Sequence, residues 1–335
     1  MVCLFFFFLL KFKDMKILVA GGAGYIGSAL VPALMEHGYE VEVIDLLWFG
    51  NYLPKEVKVI KKDLFEVKEK DLEGFEQVIF LAGLSNDPMA EFNPAKNFVD
   101  NGALPSYLAY RAKNAGVKRF IYASSCSVYG YAPDHFYTEE DPVTCDYPYG
   151  ISKLQGERGA LQMIRDYFSV ITLRQGTVSG HSPRMRMDLI VNTMFKSCMT
   201  AGKIVVNNPA IWRPVLAMQD AIEAYLRAME ADYKISGVFN VCSGNFTVGA
   251  VADLVKEEME KLTGKKILIE VKNIDDFRNY KVSIEKAKTV LGFEPLHSIK
   301  DVVDDLYAHR MLYGDFEKDE FYNIRVFKKL ESQSS

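Results

Sequence analysis

The feature that most limits what this chain can fold into is a set of glycines caught between a strand and a helix. Residues 16–20 (KILVA) form a short apolar run of the kind that makes a buried parallel strand. The run ends in Gly21-Gly22-Ala23-Gly24-Tyr25-Ile26-Gly27, and residues 28–37 then carry apolar side chains at helical spacing up to a stop at Gly38. Glycines at 21, 24 and 27 permit a tight turn, leave no side chain where a diphosphate lies against the backbone, and let helix pack closely on strand. The helix N-terminus then faces the phosphate charge. Such a pattern alone also serves plain turns; with this strand before it and this helix after it, it reads as a dinucleotide loop.

The rest of the chain continues the alternation. Apolar strand patterns recur at residues 40–45, 57–61, 77–82, 119–124 and 169–173. Residues 94–115 read as helical, with Pro105 kinking or restarting the helix, and residues 149–167 as another helix. This is the signature of an α/β fold with a doubly wound parallel sheet. After Gly176 the rhythm changes. Helices are expected at 189–201, 220–231, 247–262, 283–291 and 299–312, strands at 203–206, 237–241 and 267–271, and fraying at 331–335. Residues 15–175 are thus expected to form a Rossmann domain, with 216–242 packing back on it. Residues 176–215 and 243–330 are expected to form a smaller α/β substrate domain.

Composition excludes several classes. Hydrophobic residues make up 49% and charged residues 25%, ordinary for a globular chain, and a formal charge of −4 gives no basic footprint for nucleic acid. The five cysteines form no C-x-x-C pair and the histidines show no metal-ligand spacing, so neither a disulfide framework nor a metal site is expected. His181 is taken at most as a pocket-wall residue. A reducing, cytoplasmic setting fits this cysteine usage. Residues 1–10 (MVCLFFFFLL) are apolar, but a membrane-spanning helix needs about 20 such residues. Residues 1–14 are therefore expected to be an extension or a mis-assigned start ahead of Met15, with no membrane partner.

Two acidic positions bear on the nucleotide. Asp45 ends the second strand eighteen residues after Gly27, where an acid binds the adenosine ribose hydroxyls and repels a 2'-phosphate. The residues that follow, Leu46-Leu47-Trp48-Phe49, contain no arginine for such a phosphate, which favours NAD over NADP. Asp63-Leu64 follow the third strand, where Asp63 suits either an adenine contact or a helix cap. The reactive chemistry points further along. Tyr149 and Lys153 stand four apart on one helix face. A free tyrosine, with a pKa of ~10, is a poor base at neutral pH, and a neighbouring ammonium favours its phenolate. Ser125 lies in the hydroxyl-rich stretch Ser124-Ser125-Cys126-Ser127-Val128-Tyr129-Gly130, at the sheet edge where ligands bind in such folds.

Together GGAGYIG, Asp45, Asp63-Leu64, Phe80-Leu81-Ala82-Gly83, SSCSVYG and YGISK resemble the extended short-chain dehydrogenase/reductase family, in its nucleotide-sugar epimerase and dehydratase branch. Looser matches are Leu173-Arg174, Trp212-Arg213-Pro214 and Arg278-Asn279-Tyr280. The resemblance implies a bound NAD, a nucleotide-sugar substrate and a homodimer. It makes Tyr149 the general acid/base, Lys153 its tuner and a holder of the nicotinamide ribose, and Ser125 the partner of the reacting sugar oxygen. It places Leu81, Ala82, Gly83 and Asn101 on the cofactor side. Ser127, Thr177, Arg213 and Arg278 fall on the substrate side, the arginines toward a diphosphate.

Departures from the family pattern narrow the chemistry. Sugar dehydratases carry Asp-Glu where this chain has Cys126-Ser127, 3,5-epimerases carry a cysteine where it has Ser127, and decarboxylases carry a glutamate in this turn. The family's asparagine after the sixth strand is Thr177, its glycine turn before the arginine is Asn207-Asn208-Pro209, and its last acidic position is Ser283. What remains is the minimal set for reversible oxidation of one carbinol. The reading is a NAD-dependent nucleotide-sugar epimerase acting at C4. Its rivals are a nucleotide-sugar dehydrogenase or ketoreductase and, in another class, a non-catalytic NAD-sensing scaffold, which would need only the glycine loop.

Overall fold

The computed structural model of the chain describes residues 15–272 and 278–334, so the expectation for residues 1–14 lies outside the described residues. Strand β1 (Lys16–Ala20) shows how the layers arise. Ile17 and Val19 point into one apolar cluster and Leu18 and Ala20 into another, all of them fully buried. A strand apolar on both faces is stable only between two covering layers. It pairs in parallel with β2 (Glu40–Asp45) on one side and β4 (Gln77–Phe80) on the other. With β3 (Lys58–Lys61), β5 (Arg119–Ser125), β7 (Ser169–Gln175) and β11 (Gly237–Val241) the sheet has seven parallel strands in the order β11-β7-β5-β4-β1-β2-β3. The chain reverses its direction of winding between β1 and β4. Loops leaving the two strands part there, and a ligand crevice opens at their C-terminal ends. The fold is Rossmann-like.

Helices cover both faces. One is formed by α1 (Tyr25–Glu36) and α5 (Met218–Glu230), the other by α2 (Leu104–Asn114) and α3 (Pro148–Leu161). The fully buried Arg119 ties α5 to the sheet. Its guanidinium donates to the carbonyls of Ala228 (2.9 Å), Ala231 (2.6 Å) and Asp232 (2.6 Å), placing a cation where the helix leaves carbonyls without partners.

Beyond β7, a three-stranded sheet joins β8 (Thr177–Ser179), β10 (Trp212–Ala217) and β12 (Gly244–Thr247). Two further parallel pairs link β9 (Lys203–Asn207) to β13 (Leu268–Lys272) and β6 (Tyr131–Tyr137) to β14 (Asn279–Val282). Helices α4 (Ile190–Ala201), α6 (Val248–Thr263) and α7 (Ile299–Ala308) pack around them, and one apolar cluster runs unbroken from Val19 through Tyr225 to Val255 and Leu306. Among the described residues no helix is long and apolar enough to cross a membrane.

The structure gives several local expectations their detail. Residues 94–115 are mostly helical, as expected: a turn at Pro94–Asn97 leads into a π-helical turn at Phe98–Ala103, and α2 restarts with Pro105 in its first turn. Proline fits there because a first-turn N–H has no helical partner to lose. The helix expected at 283–291 is present from residue 285 and ends in a π-helical turn, Ala287–Leu291, closed by Gly292 at φ 69°. The tail expected to fray instead forms α8 (Asn323–Ser334), anchored by the fully buried Phe327 against Leu84 and Met89.

Candidate active site

A cavity of about 640 Å³ opens along the C-terminal ends of β1, β4, β5 and β7. Its walls include the glycine loop, the segment 81–89, Ser125 and Ser127, the start of α3, and residues from the second sheet. Gly21, Gly24, Tyr25, Ile26 and Gly27 all line it, as do Leu81, Ala82 and Gly83. The loop is as tight as its glycines suggest. A Cβ on Gly21, which sits at φ 81°, would lie 2.5 Å from the Ala82 nitrogen, and one on Gly27 would lie 2.3 Å from the Gly22 carbonyl oxygen. Gly24, at the cap of α1, would bring its Cβ only to 3.4 Å from the Gly21 oxygen, on the side where a ligand's backbone can approach. Tyr25 braces the loop, its hydroxyl donating to the Gly180 carbonyl at 2.6 Å.

Asp45 does not line the cavity wall. Its Oδ2 accepts from the Ala23 N–H (3.0 Å) and its Oδ1 from the Leu47 N–H (2.7 Å), which staples the glycine loop to the loop after β2. That second loop holds Leu47 at φ 57°, a strained conformation for a leucine. Burial raises the Asp45 pKa against these two donors. Asp63 caps the turn at Leu64–Glu66 by accepting from the Phe65 N–H at 2.9 Å, while Leu64 is buried under the sheet. Asn101 is also off the wall. From the π-helical turn it donates to the Leu84 carbonyl and to Asn97 Oδ1, both at 2.8 Å, and Asn97 in turn donates to the Pro148 carbonyl at 2.9 Å. These links fix the first turn of α3, which carries Tyr149.

Ser125, Tyr149 and Lys153 meet in the cavity. Pro148 opens α3, and Gly156 lets the helix come close enough that a Cβ there would lie 2.2 Å from the Asn101 carbonyl oxygen. A buried network joins α3 to the end of β5. Glu157 accepts from the Ser124 hydroxyl (2.7 Å) and from two guanidinium nitrogens of Arg174 (2.6 and 3.0 Å). The Ser125 hydroxyl lies 2.8 Å from that of Ser127, on the same wall as Tyr149.

The electrostatics differ from the sequence expectation. The Tyr149 phenol is held above its ordinary pKa, first by burial and then by the Asp87 carboxylate, against the pull of the Arg186 guanidinium and the Ser125 hydroxyl. Lys153, expected to supply that pull, is itself driven down to about 7 by burial, opposed by Glu157. Its ammonium sits 4.8 Å from the Tyr122 ring centroid. Desolvation disfavours the charged form of each partner, so proximity on one helix face does not by itself make a phenolate.

The substrate-side residues are gathered less symmetrically. Thr177, Ser127, Arg213 and Arg278 all line the cavity. Arg213 donates to the carbonyl of Trp212 (2.9 Å) and to that of Arg278, and Arg278 pairs with Asp87. Asn208 adopts φ 50° in the turn where a glycine was missed, a conformation asparagine tolerates better than most residues. His181 is outside the cavity wall. Its ring stacks on His309 at 3.8 Å and bonds the Tyr313 hydroxyl, so it braces α7 instead.

Sequence reasoning missed the segment Pro183-Arg184-Met185-Arg186-Met187-Asp188. Arg186 and Asp188 form a two-pronged ion pair (2.8 and 3.0 Å) on the wall near Tyr149, and Asn86 donates to the same aspartate at 3.1 Å. Two arginines and an aspartate at every second position of an extended stretch were the available signal. Asp87, and Asn323 and Ile324 from α8, were missed because nothing local marks them as wall residues.

A family model described as the NAD dependent epimerase/dehydratase family matches residues 17–242. The chain belongs to that family. It is an enzyme of the extended short-chain dehydrogenase/reductase type, and its cofactor is NAD. The UDP-glucose 4-epimerase of Corynebacterium glutamicum is 27% identical over 324 residues, covering 90% of this chain and 97% of that protein. UDP-glucuronic acid decarboxylase 4 of Arabidopsis thaliana is 27% identical over 333 residues, covering 92% and 72%. Among solved structures, MoeE5 in complex with UDP-glucose and NAD superposes with a TM-score of 0.77 at 27% identity, covering 89% of this chain and 99% of that one. Family members thus share the fold while differing in reaction. The residues present fit NAD: the cradle made by Gly21, Gly24 and Gly27 opens on the cavity at the positive end of α1.

Proposed function

We propose that the protein epimerises a nucleotide-activated sugar at C4 through transient oxidation to a keto sugar. The observation that carries this reading is the meeting of Ser125, Tyr149 and Lys153 in one cavity that continues onto the glycine loop. In this reading NAD, held by residues 21–27, 81–83 and Lys153, supplies the hydride acceptor and donor. Tyr149 acts in its phenolate form, which burial disfavours and Arg186 and Ser125 favour; it takes the proton of the reacting hydroxyl and later returns it, and Ser125 holds that oxygen in line. Lys153, near 7, keeps a proton within reach of neutral pH. Arg213 and Arg278, with their forked donors, face the nucleotide diphosphate.

Elimination of water finds no support in the turn after β5. Cys126 is fully buried, its thiol donates to the Arg174 carbonyl, and burial raises its pKa far above the ordinary range. Similarity to both 4-epimerases and decarboxylases makes product analysis the direct test. UDP-glucose, UDP-galactose and UDP-glucuronic acid are incubated with the protein, with nuclear magnetic resonance for the sugar and absorbance for NADH. Epimer formation without free NADH is expected. Stoichiometric NADH marks a dehydrogenase, and carbon dioxide with a pentose marks a decarboxylase; either overturns the reading. Tyr149→Phe should lower turnover by ~10²–10⁴-fold while leaving NAD affinity within a factor of about two.

A further inference from the structure

Arg184 is among the most deeply buried large side chains of the protein, 2% exposed, and lies on the cavity wall with Gly21, Gly24 and Phe49. Among the described residues it makes one hydrogen bond, from Nη2 to Asn323 Oδ1 at 2.5 Å. Its Nε and Nη1 are buried and have no partner. One face of the guanidinium rests on the Phe49 ring, 3.8 Å from the centroid. The neighbouring acids are engaged elsewhere: Asp188 pairs with Arg186, and Asp45 takes the Ala23 and Leu47 N–H groups.

A guanidinium shut away from water with two unsatisfied donors is costly, and removing it from an anion would be costlier still. Burial and the repulsion of Arg186 push its pKa down to about 9, so both act against the charge. The Asp188 carboxylate, already paired with Arg186, offsets this only in part, and the crevice has a place for a further anion. The positive end of α1 and the bare backbone of the glycine loop face the same space. The Nε and Nη1 N–H groups leave by different edges of the guanidinium, so each can donate to a separate anionic oxygen. We propose that Arg184 grips a phosphate of the dinucleotide lying on the glycine loop, and that Asn323 of α8 holds the guanidinium in place for it. Asn323 is itself fixed, donating to the Ser85 hydroxyl at 2.5 Å. The C-terminal helix thereby contributes to the cofactor site from the far end of the chain.

Isothermal titration of the full-length protein, stripped of bound nucleotide, tests this without turnover, so it stands or falls separately from the sugar reaction. The ligands are NAD, ADP-ribose, adenosine, NADP and UDP. Arg184→Met should weaken NAD and ADP-ribose about ten- to a hundredfold, the scale of a lost charge-assisted hydrogen bond, with adenosine and UDP within about twofold. Arg184→Lys should recover part of the loss. Without ligand, Arg184→Met should melt no lower than the parent, because the buried charge is gone. Asn323→Ala, which leaves the arginine in place, should weaken NAD about threefold or more with adenosine unchanged. If Arg184→Met does not fold, the lysine and Asn323 variants carry the test. NAD affinity unchanged in the variants overturns the proposal. Adenosine falling in step with NAD assigns a packing role instead. A loss confined to NADP assigns the arginine to a 2'-phosphate, and a loss confined to UDP assigns it to the substrate's diphosphate.

Discussion

Replacing Lys153 with methionine should make the cofactor-free protein more stable while destroying its activity. Lys153 is 6% exposed, and burial holds its pKa near 7 against 10.5 for a free lysine. In the folded state the proton is lost above about 7; in the unfolded chain it is kept up to about 10.5. Between those values the unfolded state binds more protons, so stability rises with pH across that window. Below about 7 both states are protonated and the folded state bears the full penalty, roughly 5 kcal/mol at ~1.4 kcal/mol per pH unit. Methionine keeps most of the stem and carries no charge. It also forfeits the contact with the Tyr122 ring, about 0.5–2 kcal/mol. Lys153→Met should therefore gain a few kcal/mol at pH 6, and the gain should shrink steadily toward pH 10.5. Urea titrations of both proteins at pH 6, 8 and 10 and constant ionic strength measure it. A variant no more stable at pH 6, or a gap that widens with pH, would refute the reasoning, because Lys153 would then not be a desolvated cation.

Two other variants probe the surroundings. Asp45→Ala should weaken NAD by ~1.5–3 kcal/mol, since it removes the staple that holds Ala23 of the glycine loop and Leu47 in place. Titrating NAD and NADP side by side checks it, and parent protein that binds NADP as tightly as NAD would remove Asp45 from selectivity. Glu157→Gln should cost about 3–5 kcal/mol in denaturant unfolding, because it leaves the buried Arg174 guanidinium without its counter-charge. A loss below about 1 kcal/mol would mean that Ser124, Tyr129 and water satisfy Arg174 unaided.

Much of the architecture was legible because it depends on local pattern. Strands apolar on both faces, helices at helical spacing and the glycines between them already imply a parallel sheet, and Ser125, Tyr149 and Lys153 stand near enough to its edge to be placed in one site. The elements that escaped detection are those whose partners are remote. Strand β6 has an irregular pattern and exists through its pairing with β14, more than 140 residues later. Helix α8 is held by Phe327 against Leu84 and Met89, a contact no local periodicity announces.

The same division runs through the site. Residue spacing alone determined the glycine turn, the shared helix face of Tyr149 and Lys153, and the acid at the end of β2. Tertiary structure decided the charges. No arginine stands among Leu46 to Phe49, just after Asp45, yet folding brings Arg184 across the crevice to Phe49. A lysine four residues from a tyrosine suggests a lowered phenol pKa, yet burial moves both groups toward their neutral forms. Periodicity is written residue by residue, whereas desolvation and the field at a buried atom depend on every segment that packs around it, and those segments meet only when the chain is folded.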